Sequence, residues 1–274
     1  MKEILNRLSR HEYLTRTEAR DILTGITEEK FNHAQIASFV TAFRMRGITV
    51  EELAGFREAL MALCIRLDVG DFETMDVCGT GGDGKNTFNI STLTGFVVAG
   101  AGYKVAKHGN KSVSSKCGSS DVLQSLGYHF SNDQDNLYRQ LEENNFCYLH
   151  APFFHPALKS VGQIRRDLGV KTFFNMLGPL VNPVQPTHQL VGVFSLKLMR
   201  LYHYIMEEMG HQFTIVHGLS GFDELSLTDT TKVISARRGP YLLRAKNFNM
   251  PTYQLSDLFG GDTIEEAQKK AVSA

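Results

Sequence analysis

"MDVCGTGGDGKNTFNIST", Met75 to Thr92, runs from a β-rich apolar stretch into a cluster of glycines and out into small hydroxyl residues. Strand, glycine loop and helix start in that order predict a βα unit whose loop brings backbone N–H groups close to an anion. Two phosphate-binding patterns almost fit. Gly79, Gly81 and Gly84 satisfy G-x-G-x-x-G, and Gly79 to Lys85 satisfies the opening of G-x-x-x-x-G-K-[ST]. Asn86 stands where the second pattern needs a hydroxyl for magnesium. The first pattern needs a carboxylate about 20 residues on, at the end of the next strand. That stretch, "YKVAKHGN", ends in Lys107 and His108 instead. A nicotinamide enzyme is therefore disfavoured, and the loop is expected to serve another phosphorylated ligand.

Outward from this unit the chain divides in texture. Residues after about 73 alternate short β-rich runs, "TMDVCG", "YKVAKHG", "NFCYLHAP", "QLVGVFS" and "QFTIVHG", with helical segments. Such alternation predicts an α/β fold with a mainly parallel central sheet, whose ligands sit at the carboxyl ends of the strands. The glycine loop, Lys107 and Gly218 all fall there. The preceding residues read as helices: Thr15 with Glu18 and Thr49 with Glu52 are spaced as capping boxes, and Gly47 is placed as a C-cap. "TFFNMLGPLVNPVQPT", residues 172 to 187, holds three of the seven prolines and reads as a crossing or hinge between domains. After Asp223 the chain alternates like antiparallel strands, and Thr263 with Glu266 opens a last helix.

With 29 basic and 29 acidic residues among 274, the net charge is zero, which argues against a nucleic-acid footprint. Cys64, Cys78, Cys117 and Cys147 have no C-x-x-C spacing and suit a reduced compartment. The charged N-terminus carries no signal peptide or membrane span, so a soluble, cytoplasmic metabolic protein is expected.

Three further stretches carry chemistry. "KHGNKSVSSKCGSSD", Lys107 to Asp121, gathers lysines, serines and glycines after a strand and predicts a second anion loop. A ligand with phosphates at both ends follows from two such loops. "GFDELS" sets Asp223 and Glu224, hard oxygen donors suited to magnesium, beyond another strand, and Ser91 is placed to add a hydroxyl. Arg165 offers a guanidinium fork for a carboxylate, whereas Arg166 reads as surface pairing with Asp167 or a neighbouring carboxylate. His150 and His155 read as structural.

Together "GTGGDGKNTFNIST", "KHGNKSVSSKCGSSDVLQSLG", "HPALKSVGQIRRDLGVKTFFNMLGPLVNP" and "GFDELS" resemble the anthranilate phosphoribosyltransferase family, in order and over most of the chain. The resemblance implies a small helical domain of residues 1–68, with a returning segment at about 160–185. It implies an α/β domain of residues 69–159 and 186–274, shortened at its C-terminus relative to the family. It further implies a homodimer joined through the helical domain, the substrates anthranilate and phosphoribosyl pyrophosphate, and Mg2+ as cofactor. Position by position, Gly79, Gly82, Asp83, Thr87, Asn89, Ser91, Thr92, Lys107 and Ser119 would hold phosphoribosyl pyrophosphate. Gly79, His108, Asn110 and Arg165 would line the anthranilate site, between the domains. Ser91, Asp223 and Glu224 would hold the metal. Lys111 departs from the family's usual Arg, keeping the charge but losing the planar fork. A nucleoside-phosphorylase-like enzyme and a non-catalytic relative that binds phosphoribosyl pyrophosphate are the alternative readings.

Overall fold

The computed structural model describes residues 1–111, 118–261 and 263–273. It divides into two compact units, one of Met1–Arg66 with Pro152–Pro183, the other of Leu67–Ala151 with Val184–Ala274.

The first unit is helical. Helices α1 (Lys2–Ser9), α2 (Arg16–Thr27), α3 (His33–Arg46) and α4 (Val50–Ala62) follow one another without a strand. Thr15 with Glu18 and Thr49 with Glu52 make the reciprocal capping boxes that their spacing predicts, and Asn32 with Gln35 makes a third. Gly47 ends α3 at φ 85°. Glu52 does more than cap. Its buried carboxylate also accepts the Leu14 N–H at 2.8 Å and pairs with the buried Arg46 guanidinium at 2.7 Å. The core is an aromatic cluster: Phe39, Phe43 and Phe56 from α3 and α4 enclose Phe173, which stacks on Phe56 at 4.4 Å between ring centres. Phe173 belongs to the returning segment. Burying that ring, at about 2–3 kcal/mol, supplies the reason the segment folds with the helices.

Helices α2 and α4 approach closely at Gly55, where a Cβ would lie 2.2 Å from the Arg16 carbonyl and 2.9 Å from Ala19 Cβ. Gly55→Ala should therefore lower stability by about 2–4 kcal/mol, read as a drop in the urea midpoint. An unchanged midpoint would mean that the helices separate freely at this crossing.

The second unit contains β1 (Thr74–Gly79), α5 (Ile90–Gly100), β2 (Lys104–Gly109), α6 (Ser119–Ser125), α7 (Gln134–Asn144) and β3 (Phe146–His150). The chain passes through α8 (Ala151–Phe154) into the helical unit, forms α9 (Lys159–Leu168) there, and returns. It continues with β4 (His188–Gly192), α10 (Leu196–Met209), β5 (Gln212–Gly218), β6 (Thr231–Ser235), β7 (Gly239–Leu243) and α11 (Ile264–Ser273). The seven strands lie in the order β3-β2-β1-β4-β5-β6-β7; the first five are parallel, and β6 and β7 are antiparallel as their alternation predicts.

Successive β connections run outward from β1 in one direction to β3, then resume on its other side with β4. The C-terminal ends of β1 and β4 thus form a topological switch point, where doubly wound sheets open a ligand crevice. Val77, Val105, Phe146 and Tyr148 face α5 and form the core on that side. No helix among the described residues is long and apolar enough to cross a membrane.

Candidate active site

The glycine loop leaves β1 at the switch point. Gly81, Gly82, Gly84 and Asn86 all have left-handed backbones, with φ of 64°, 81°, 74° and 50°. Three glycines make that path accessible, and Asn is the side chain that tolerates it best. The loop ends at Asn89, the N-cap of α5, whose Oδ1 accepts the Thr92 N–H at 3.1 Å. Thr92 is buried below, and its Oγ1 has no hydrogen-bond partner among the described residues.

Asp223 reaches this loop from the other side of the switch point. A tight turn closes β5, with the Gly218 N–H donating to Phe222 O at 3.0 Å and Gly221 at φ 98°. The turn throws Asp223 back across the strand ends. Its Oδ2 accepts the Gly81 N–H at 2.6 Å. A Cβ on Gly192, at the end of β4, would lie 1.5 Å from the Asp223 carbonyl, and one on Gly79 would lie 2.6 Å from its carboxylate. Both strands end in glycine because the Asp223 turn occupies the space a side chain would need.

The crossing concentrates acid. Burial first, and then the charge of Asp83, push the Asp223 carboxyl up to about 7. Glu224 is also raised, by burial and then by Asp223, with Lys107 pulling the other way. Asp83 Oδ1 accepts the Lys85 N–H at 3.1 Å, while its Oδ2 is buried and accepts no hydrogen bond among the described residues. Three carboxylates around an amide-rich loop, one with a bare buried oxygen, suit a divalent cation. No group of three or more metal-ligating side chains converges among the described residues. Magnesium does not require one, since it keeps several waters and binds through one or two carboxylates together with phosphates.

Lys107 differs from its expected setting. It does not extend from the sheet edge but is buried within β2, on the α5 face; its ammonium donates to Val77 O and lies 3.3 Å from Ser91 Oγ. Its charge acts from beneath the loop and on Glu224. His108, the next residue, faces the opposite side of the strand by simple alternation, and it too is buried. Ser91 stands between the ammonium and Asn89, with its Oγ 3.4 Å from Asn89 Oδ1.

Ser119 is the first residue of α6, behind Gly118, whose N–H donates to Asp121 at 2.9 Å. Asn110 anchors this start, its carbonyl accepting the Ser120 N–H at 3.3 Å. Residues 112–117 of the second anion loop, including Lys116 and Cys117, lie outside the described residues. His150 Nδ1 is 3.0 Å from Ser120 Oγ, and the His150 ring stacks on Phe130. His155 is bonded to Val181 O.

Arg165 belongs to α9 in the helical unit, where Arg166 is exposed as expected and bonds to the Gln163 amide oxygen rather than to a carboxylate. Arg165 is half-buried, its guanidinium 5.4 Å from the centre of the Phe174 ring, and burial lowers its pKa. No carboxylate among the described residues pairs with it.

Comparison with known proteins identifies the fold and the family. Residues 2–64 match the helical bundle domain, and residues 71–271 the a/b domain, of a glycosyl transferase family. The anthranilate phosphoribosyltransferase of Cytophaga hutchinsonii is 53% identical over 269 residues, covering 98% of this chain and 82% of that one. The chain belongs to the anthranilate phosphoribosyltransferase family. The Flavobacterium johnsoniae enzyme is 52% identical, with 97% of this chain and 81% of that one covered. Among solved structures, the Thermus thermophilus anthranilate phosphoribosyltransferase superposes with a TM-score of 0.88 at 34% identity, covering 97% of this chain and 80% of that one. The Saccharomyces cerevisiae enzyme, solved in complex with PRPP and Mg, gives 0.86 at 31% identity, covering 93% and 75%.

Within this anthranilate phosphoribosyltransferase family member, three contributors to the site escaped the sequence analysis. Gly192 carries the Asp223 crossing, yet "QLVGVFS" shows only a glycine ending a strand. Asp76, buried in β1, accepts the His108 N–H at 3.4 Å. The third is the contact of residues 259–261 with the glycine loop, a pairing across more than 170 residues that no local pattern announces.

Proposed function

We propose that this chain transfers the phosphoribosyl group of phosphoribosyl pyrophosphate to the amine of anthranilate, giving N-(5-phosphoribosyl)anthranilate and pyrophosphate in tryptophan biosynthesis. The observation that carries the reading is the gathering of Asp83, Asp223 and Glu224 against the amide-rich glycine loop at the switch point. Acids beside an anion loop repel the ligand unless a dication lies between them.

In this reading Gly79, Gly82, Asp83, Thr87, Asn89, Ser91, Thr92, Lys107 and Ser119 hold the donor. The loop N–H groups and the start of α6 receive its phosphates. Asp223 and Glu224, with Ser91 assisting, would hold magnesium, which supplies charge neutralisation to the departing pyrophosphate. The residues around the loop orient C1 of the ribose so that one face stays open to the amine. The amine lone pair forms the N–C1 bond as the C1–O bond breaks; pyrophosphate leaves with the electron pair, and the nitrogen then loses a proton to solvent. Gly79, His108 and Asn110 contribute to the anthranilate site, and Arg165 holds the anthranilate carboxylate. We place the protein in the cytoplasm as a homodimer through the helical unit, where Met45 and Tyr13 offer exposed apolar surface. A sedimentation mass of one chain at micromolar concentration would refute the dimer.

Loss of anthranilate fluorescence that requires both phosphoribosyl pyrophosphate and magnesium is the expected result with the purified chain. No loss from a folded chain would overturn the reading. A half-buried guanidinium that pairs with no carboxylate among the described residues is suited to an anionic ligand. Arg165→Ala should raise the KM for anthranilate by about 10–100-fold and leave that for the donor within twofold, the size of a lost charged hydrogen bond. An equal rise in both constants would move Arg165 out of the acceptor site.

A further inference from the structure

Asn86 breaks the P-loop pattern, and its role lies elsewhere. The Asn86 side-chain amide donates to the Gly261 carbonyl at 2.8 Å, and the Asn86 backbone carbonyl accepts the Gly260 N–H at 2.7 Å. The next residue, Thr87, forms an antiparallel bridge with Phe259. Residues 259–261 therefore cross the glycine loop as a short strand. The crossing is close: a Cβ on Gly260 would lie 2.6 Å from Thr87 O and 2.9 Å from Asn86 O.

The crossing segment is itself anchored to α11. Lys270 Nζ donates to the Phe259 carbonyl at 2.8 Å and sits 5.1 Å from the centre of its ring. Gly261 has φ 108° and lies so close to the helix that a Cβ would be 2.7 Å from Glu266 Cβ. A loop with four left-handed positions has many conformations available and loses much entropy when a ligand orders it. Fixing the loop beforehand removes part of that cost from binding.

We propose that Phe259–Gly261 is a strap, anchored by α11, that holds the glycine loop in its donor-binding shape, with Asn86 and Gly260 as positioning residues. The proposal rests on the donor-binding reading of the loop given above. Because the strap meets the loop at Asn86 and at the donor residue Thr87, its effect falls on donor binding.

Three full-length variants test it. Asn86→Gly removes the side-chain bond but keeps the left-handed backbone, Gly260→Ala pushes the strap off the loop, and Lys270→Met releases the anchor without touching the loop. Amide hydrogen exchange of residues 80–90 should quicken about 5- to 10-fold in each, as expected for one lost hydrogen bond of the loop. The KM for phosphoribosyl pyrophosphate should rise by about the same factor, with the KM for anthranilate within twofold. A merely structural contact would instead lower the active fraction, and so kcat, with both KM values unchanged. Unaltered exchange in Asn86→Gly and Lys270→Met would remove the strap. Faster exchange with an unchanged donor KM would remove its positioning role. Should Gly260→Ala fail to fold, the other two variants still decide. If the parent chain shows no turnover, the donor reading fails, while exchange continues to judge the strap by itself.

Discussion

With Asp223→Asn and Glu224→Gln combined, magnesium-dependent turnover should fall on the order of 1,000-fold or more, and the protein should remain folded. The same site makes a second, opposite statement about stability. The Asp223 carboxyl is raised from its ordinary 3.8 to about 7 by burial and by Asp83. The native state thus holds this proton more tightly than the unfolded chain does. Its favourable contribution is complete below pH 3.8 and declines as pH rises toward 7; above 7 the buried charge costs the native state about 4 kcal/mol at most. With metal chelated at pH 8, the single variant Asp223→Asn should therefore melt a few degrees above the parent, since its amide keeps the Gly81 hydrogen bond without the charge. Thermal scans at pH 8 and pH 5 check this: the advantage should shrink at the lower pH. Undiminished turnover in the double variant would remove the metal assignment, and a lower melting point for Asp223→Asn would mean that the acids are not in conflict.

Gly192→Ala should be the most damaging small substitution near the site. Its Cβ would fall 1.5 Å from the Asp223 carbonyl, a backbone atom that cannot rotate away. Either β4 or the Asp223 turn must shift. A loss of about 3–5 kcal/mol in unfolding free energy is expected, because a packed interior resists such insertion. Displacing the turn also moves the carboxylates, so turnover of the molecules that do fold should drop about 100-fold, the effect of an ångström of misplacement. Denaturant titration with steady-state kinetics on the same preparation separates the two. Normal kinetics in a stable Gly192→Ala protein would show that the turn can relax without moving its acids.

Much of the site was legible because its residues come in short runs with strong local meaning. The glycine loop and the Asp223–Glu224 pair each follow a predicted strand, and the rule that parallel sheets bind at strand ends carries them to one edge. Lys107 was legible as a charge but not as a buried one. Alternation puts Lys107 and His108 on opposite faces, yet only the packing of α5 shows that the ammonium lies under the loop, at Val77 O and Ser91. Asn86 was read through what it is not. Its partner Gly261 is 175 residues away, and nothing within the loop indicates it.

The sequence by itself determined the local elements and the family: the capping boxes at Thr15 and Thr49, the short β-rich runs of β1 to β5, and four ordered motifs matching the family are all short-range signals. A cap needs a hydroxyl, amide or carboxylate at the right offset, and a buried parallel strand needs a short β-rich run, so both can be read from neighbours in the chain. Tertiary structure alone decided which charges meet. The Asp223 crossing over Gly79 and Gly192, the insertion of Phe173 among the α3 and α4 rings, and the 259–261 pairing with the loop join residues far apart in sequence. Desolvation, close backbone approach and the repulsion of neighbouring carboxylates exist only once the chain has brought those groups together, which is why the site's electrostatics could not be read before its fold.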